Sequence, residues 1–226
     1  MRRLLNALRP HPTIPITPWR AANQWDLSLM RLLILFSGLF IFGIGDSLLI
    51  VSGLGNAPWS VLAQGISKQS SLSIGFSTLL VSTLVLALWI PLKERPGFGT
   101  IANIAIIAIA IDLGINFFPH QKEIAGELIY VFAGILLVGL GSALYITCGL
   151  GPGPRDGWMT AIHRRSGIPI GRVRLGIELL VLTAGWALGG RVGVGTALFA
   201  ALIGYSVRSE EYTSELQSPY VISYAV

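Results

Sequence analysis

The chain carries nearly the same stretch twice. Gly53-Leu54-Gly55-Asn56-Ala57-Pro58 returns without a gap as Gly149-Leu150-Gly151-Pro152-Gly153-Pro154. The same offset pairs Gly38 with Gly134, Gly43 with Gly139 and Gly45 with Gly141. Downstream it pairs Ile74-Gly75 with Ile170-Gly171, and Gly97-x-Gly99-Thr100 with Gly193-x-Gly195-Thr196. A register held this long requires a fold built from two copies of one unit. Each unit holds three long apolar segments. An odd number of membrane crossings places the second copy upside down relative to the first, a design that recurs in transporters with their working site near the midplane.

The membrane reading rests on composition. Hydrophobic residues make up 53% of the chain and charged residues 12%, against roughly a quarter charged in soluble domains. The apolar runs are 31–51, 74–92, 99–118, 128–148, 173–188 and 194–207. A crossing needs about 20 residues. Four runs reach or approach that length, and the fifth does so if Arg172 and Arg174 snorkel at its end. The sixth is short. A soluble helical protein could not cover this much apolar surface. The expected fold is all-α and polytopic: six transmembrane helices as two inverted three-helix repeats, 29–120 and 121–207, in contact with the lipid bilayer.

Charge sets the expected orientation. Arg2, Arg3, Arg9, Arg20 and Arg31 precede or open the first run; Lys93 and Arg95 follow the second; Arg155, Arg164, Arg165, Arg172 and Arg174 follow the fourth. The other loops hold only Lys68, Lys122 and Arg191. Twelve positive residues thus fall on one side and three on the other, which makes the N-terminus cytoplasmic and predicts a multi-pass protein of the bacterial inner membrane. Residues 1–28 are broken by Pro10, Pro12, Pro15 and Pro18. They read as a flexible basic tail resting on anionic lipid, not as a signal peptide. The positive balance belongs to this topology and carries no nucleic-acid signal. The lone Cys148 excludes an internal disulfide.

The C-terminus has a different character. Residues 208–226, from Arg208-Ser-Glu-Glu-Tyr to Val226, resemble the frame translation of a short-read sequencing adapter. The join would fall inside the sixth run, truncating the last helix after Val207, so that several native residues are expected to be missing there.

Several further motifs fall together. The second unit holds Gly151-Pro-Gly-Pro-Arg-Asp-Gly157, Arg174-x-x-x-Glu178 and Gly185-Trp-Ala-Leu-Gly-Gly-Arg-Val-Gly-Val-Gly-Thr196. The first holds Ala57-Pro58-Trp59, Gly99-Thr100, Asn103 and Asp112-Leu113. In these the chain resembles the bacterial YczE-like integral membrane proteins, related to the YitT/YyaS group, over roughly residues 31–207. The resemblance implies a membrane protein suspected of transport. It marks Pro58, Trp59, Asn103, Arg155 and Asp156 as candidate pathway positions. The family usually carries Asp after the Pro-Trp pair, where this chain has Ser60.

Asp46, Asp112, Asp156 and Glu178 lie in or beside the apolar runs. A carboxylate in hydrocarbon costs at least about 2.5 kcal/mol, so each needs a partner or a wet cavity. Glu178 has Arg174 one turn away on the same face, a structural pair in the plainer reading. Asp46 either pairs with Arg155 or Arg174 across the repeat interface or binds a cation or proton. Asp112 is either functional or a carboxylate at the lipid edge. Asp156 can cap a short segment, 157–165, in which Trp158, Met159 and Ile162 form an apolar stripe. That segment is either a capped interfacial helix or part of a broken-helix site where helix ends and Arg155 meet an anionic solute. The six span glycines read as close helix–helix contacts.

Three activities compete. The leading expectation is a small transporter or permease for an unidentified solute or ion, with a site near Asp46, Arg155, Asp156 and Glu178. The second is a membrane scaffold that meets a partner through the basic tail and the fourth loop. The third is an intramembrane aspartyl protease, since Gly43-Ile44-Gly45-Asp46 matches a Gly-x-Gly-Asp pattern with Asp112 as second carboxylate. The repeat already explains those glycines, and the other expected protease motifs are missing. The chain is therefore read as a non-enzyme. His11, His120 and His163 have no metal-ligand spacing, and no glycine-rich phosphate loop occurs, so neither metal nor cofactor is expected. A homodimer is compatible with so small a bundle.

Overall fold

Two features of the repeated stretch dictate where helices stop and start. Gly53 and Gly149 have φ of 75° and 68°, and Gly55 and Gly151 both have φ of 116°. Those values are open to glycine and strained for other residues, so the chain must leave the helix there. Pro58 and Pro154 then stand at the first position of new helices, where their fixed φ and missing amide do no harm. A computed structural model describes residues 17–202. Among these it contains α1 (Leu29–Ser52), α2 (Pro58–Gln69), α3 (Ile74–Ala87), α4 (Phe98–Phe117), α5 (Ile124–Thr147), α6 (Pro154–Ser166) and α7 (Ile170–Ala187). A further helix, α8, begins at residue 194 and continues through 202. The described residues hold no strand. The sequence repeat reappears in the boundaries: α2 and α6, and α3 and α7, open at equivalent residues.

The two central helices, α1 and α5, cross antiparallel and approach most closely at paired glycines. A β-carbon placed on Gly45 would sit 2.8 Å from the Gly134 carbonyl oxygen, and one on Gly134 would sit 2.7 Å from that of Gly45. Gly38 and Gly141 meet in the same mutual way. Gly43 serves another contact, against Ile107 and Ala110 of α4. Gly139 departs from the expectation for the six span glycines, because nothing lies within 4 Å of its β-position. The helical register turns it away from α1.

Each break is completed by the other half of the chain. Gly99 donates its amide to the Leu150 carbonyl at 2.8 Å, and Gly195 donates to Leu54 at 2.9 Å. The Gly97 amide donates to Thr100 Oγ1 and the Gly193 amide to Thr196 Oγ1, each at 3.3 Å. Likewise α2 packs on α7, where Gly185 touches the backbone of Leu62, and α3 packs on α6, where Trp89 covers Gly157.

Helices α1, α4 and α5 are each long and apolar enough to cross a bilayer. The pair α2–α3 is bent by 116° and counts as a fourth candidate only if taken together, as a broken span or re-entrant loop. The apolar run 74–92 is thus helical only to Ala87. The α7 helix carries Arg172, Arg174 and Glu178 within its 18 residues. The stripe Ile129, Phe132, Leu136 and Leu140 on α5 stays exposed, as does Ile101, Ile109 and Leu113 on α4; large apolar faces of this kind suit lipid.

Two more expectations change. Sequence reading left 58–69 outside any helix, whereas α2 occupies it, with Trp59, Ser60, Val61 and Ala63 buried. The N-terminal tail is not free over residues 17–28. Thr17 Oγ1 donates to the Thr147 carbonyl, Trp19 Nε1 to Thr147 Oγ1, and the Ala21 amide to the Cys148 carbonyl at 2.8 Å. Arg31 ties the segment down through the Trp19 carbonyl and a 2.7 Å ion pair with Asp26. Residues 1–16 and the adapter-like 208–226, with the end of the sixth run, lie outside the described residues.

Candidate functional site

The first turns of α2 and α6 meet through one pair of side chains. Neither has a side-chain cap: Ala57 and Gly153 stand at the N-cap positions. Their second residues meet directly, with the Arg155 guanidinium carbon 5.0 Å from the centre of the Trp59 ring. Trp59 and Arg155 are equivalent positions of the repeat, so the contact lies where the two halves exchange. A guanidinium over a desolvated indole face is a favourable cation–π arrangement.

Asp46, on α1, closes one side of this contact. It is 3% exposed. Ser60 Oγ, from the first turn of α2, donates to its Oδ2 at 2.6 Å. Its Oδ1 is buried without a hydrogen-bond partner. Asp156, in the first turn of α6, stands on the other side and is exposed. It does not cap its helix as expected, because α6 starts earlier, at Pro154, and Gly153 takes the cap position. Its Oδ2 instead accepts from Tyr145 Oη of α5 at 3.1 Å. The charge of Arg155 is felt at Asp46, Asp156 and Tyr145, yet it closes an ion pair with neither carboxylate among the described residues.

The repeat exchanges the chemistry of the two sides. Asp46 corresponds to Ser142, and Ser60 to Asp156. One half has its carboxylate on the long helix and its hydroxyl on the short one; the other half reverses them. An Asp at position 60 would put a second carboxylate against Asp46. Ser60 makes that contact a hydrogen bond.

The remaining candidates separate. Pro58 opens α2. Asn103, on α4, reaches the site's edge: the β-position of Gly153 is 3.3 Å from both Asn103 Nδ2 and Asp156 Oδ2. Arg174 and Glu178 form the expected pair on α7 at 2.9 Å, with side chains 26% and 27% exposed. Asp112 does not join the site. Its two oxygens accept from Ser73 Oγ at 2.5 Å and the Gly75 amide at 2.7 Å, so it holds the start of α3. Asp46 and Asp112 thus hydrogen-bond to different helices, Asp46 to α2 and Asp112 to the start of α3. Tyr145 and Trp89, whose Nε1 donates to the Pro154 carbonyl at 2.9 Å, support α6 and had no motif to announce them.

No solved structure matches the chain. It is similar to an uncharacterized protein of Haemophilus influenzae, 44% identical over 86% of this chain and 89% of that one. It is also similar to the uncharacterized membrane protein YczE of Bacillus subtilis, 32% identical over 88% and 91%. A third relative is the uncharacterized protein YyaS of the same organism, 30% identical over 74% and 85%. Residues 29–209 match the family of unknown function DUF6198. With its apolar helices, its repeat and these relatives, the chain is an integral membrane protein of the YczE-like DUF6198 family.

Proposed function

We propose that the protein is a small transporter of the bacterial inner membrane, built from two inverted three-helix repeats that cross the bilayer six times. The observation that carries this reading is the meeting of two uncapped helix starts, through Trp59 and Arg155 at equivalent positions of the repeat, beside the buried Asp46. Broken helices converging near the midplane are how several transporter folds build a solute site. The mutual contacts of Gly45 with Gly134, and of Gly38 with Gly141, support an approximate two-fold relation between the halves.

The ends of the bundle support the orientation. Arg31 is tied to the tail beside the end of α5, and Arg164 pairs with Glu94 beyond α3. Arg165 donates to the Leu92 carbonyl nearby. At the other end Lys68 and Arg191 bond the Gly189 and Gly53 carbonyls. The basic-rich end is the cytoplasmic one. On this reading α3 crosses in 14 residues, about 21 Å of helix, and the bilayer thins or the helix termini snorkel to match. Residues 17–28 spend their polar groups on the protein's own body, which takes weight from the scaffold reading.

The test is solute flux in reconstituted vesicles, run on a panel of small anions, cations and zwitterions. Asp46→Asn and Arg155→Ala should each abolish the flux of the transported solute while the protein still melts cooperatively. A flux left unchanged by both substitutions would remove the reading.

A further inference from the structure

We infer that Asp46 binds a monovalent cation, a proton or an alkali metal ion, at its Oδ1. The proposal rests on the transporter reading for its purpose, though not for its geometry.

Three observations lead to it. First, Asp46 is 3% exposed, and one of its two oxygens has a donor while the other has none. An unpartnered carboxylate oxygen in an apolar interior is costly, and nature meets the cost by pairing or neutralising the group. Second, the nearest cation is committed elsewhere. Arg155 lies over Trp59 and forms an ion pair with neither Asp46 nor Asp156 among the described residues. Third, the charges do not balance. Asp156 is exposed and solvated, whereas the buried Asp46 closes no ion pair among the described residues. Arg174 and Glu178 cancel each other, and Asp112 is saturated by Ser73 and Gly75. The buried Asp46 carboxylate is left without a closed counter-charge among the described residues.

Among the described residues, the groups around Asp46 bring no other protein cation to it. Helix α2 brings Ser60 and Trp59, α6 brings Arg155, and α5 brings Tyr145, whose hydroxyl is spent on Asp156. From α4 the only carboxylate, Asp112, serves α3. The missing charge is a monovalent one. No group of three metal-ligating side chains occurs among the described residues, and a single carboxylate is a poor host for a divalent ion, which draws on several oxygen ligands. The Ser60 hydroxyl, donating to Oδ2, keeps lone pairs for a small hard cation. When the cation arrives, Arg155 is relieved of its divided attraction and turns to Asp156, which couples occupancy at Asp46 to the contact between the two helix starts.

The experiment is infrared difference spectroscopy on the full chain in lipid nanodiscs, with ¹³C-labelled aspartate. Raising the pH should remove one protonated-carboxyl band in the wild-type protein, and Asp46→Asn should lack that band. Ser60→Ala, which keeps the carboxyl, should shift it; this variant carries the test if Asp46→Asn does not fold. Sodium or potassium is then added at fixed pH against choline. A band that persists identifies the proton as the bound cation, and a band replaced by a shifted carboxylate signal identifies the metal ion. A protein with neither a pH-dependent band nor an alkali-dependent shift overturns the inference, as does a band that survives Asp46→Asn and ignores Ser60→Ala. Cation binding without any solute flux overturns the transporter reading alone. Solute flux without a cation signal overturns this inference alone.

Discussion

Two glycines on the same helix, two residues apart, should respond to alanine in opposite directions. Gly141 of α5 sits in the crossing with α1: a β-carbon there would lie 2.5 Å from the Gly38 carbonyl oxygen and 2.6 Å from the Phe42 amide nitrogen. Both neighbours are backbone, so neither can rotate away. Overpacking of this kind costs about 1–3 kcal/mol, and rigid neighbours place it near the top of that range. Alanine also removes the penalty of glycine in a helix, about 1 kcal/mol. The net loss for Gly141→Ala is about 2 kcal/mol, which lowers Tm by about 4–8 °C in a chain of this size. Gly139 has nothing within 4 Å of its β-position, so Gly139→Ala keeps only the gain and raises Tm by about 1–4 °C. Thermal unfolding in detergent, followed by tryptophan fluorescence and circular dichroism, reads both. If the two variants shift the melt in the same direction by similar amounts, the α1–α5 crossing is not where the geometry puts it.

Three more outcomes follow from named contacts. Asp112→Ala removes the acceptor for Ser73 Oγ and the Gly75 amide; it should cost about 2–3 kcal/mol in denaturant titration while leaving the cation signal at Asp46 intact. Thr100→Val should destabilise about twice as much as Thr196→Val, at about 1 kcal/mol per lost bond, because Thr100 also donates to the Pro152 carbonyl at 2.7 Å; equal melts would contradict this. Glu178→Gln should change stability by at most about 1 kcal/mol, since its pair with Arg174 is partly exposed, and a loss of flux well beyond that would place Glu178 in the solute path.

Much of this architecture was legible because the chain repeats itself. The Gly-Leu-Gly stretches and the prolines after them mark both breaks, since few residues other than glycine accept φ near 116°. The pairing of Arg174 with Glu178 follows from helical spacing alone. The helix over 58–69 was hidden by its neighbours: the break before it and the serines after it read as one long loop, and its buried face is short. Asp156 misled for a local reason. It is a good capping residue, but Pro154 starts the helix two positions earlier, which leaves the carboxylate free to accept from Tyr145. Asp112 misled because nothing in a sequence tells which helix a carboxylate turns toward. The meeting of Trp59 with Arg155 needed the tertiary crossing, although their equivalence in the repeat was already written in the chain.

The exchange of turns between the halves has a consequence for how the protein is made. The Leu54 carbonyl waits for the amide of Gly195, and the Leu150 carbonyl is met by Gly99, which precedes it. A nascent chain can therefore finish its second break as soon as that stretch emerges, but its first break stays open until Gly195 of the second unit has been translated. The order of synthesis makes one side of the molecule set early and the other late. A ribosome stalled before residue 193 would leave a product whose second break is closed and whose first is not. Membrane quality control would meet that half-closed form whenever translation falters.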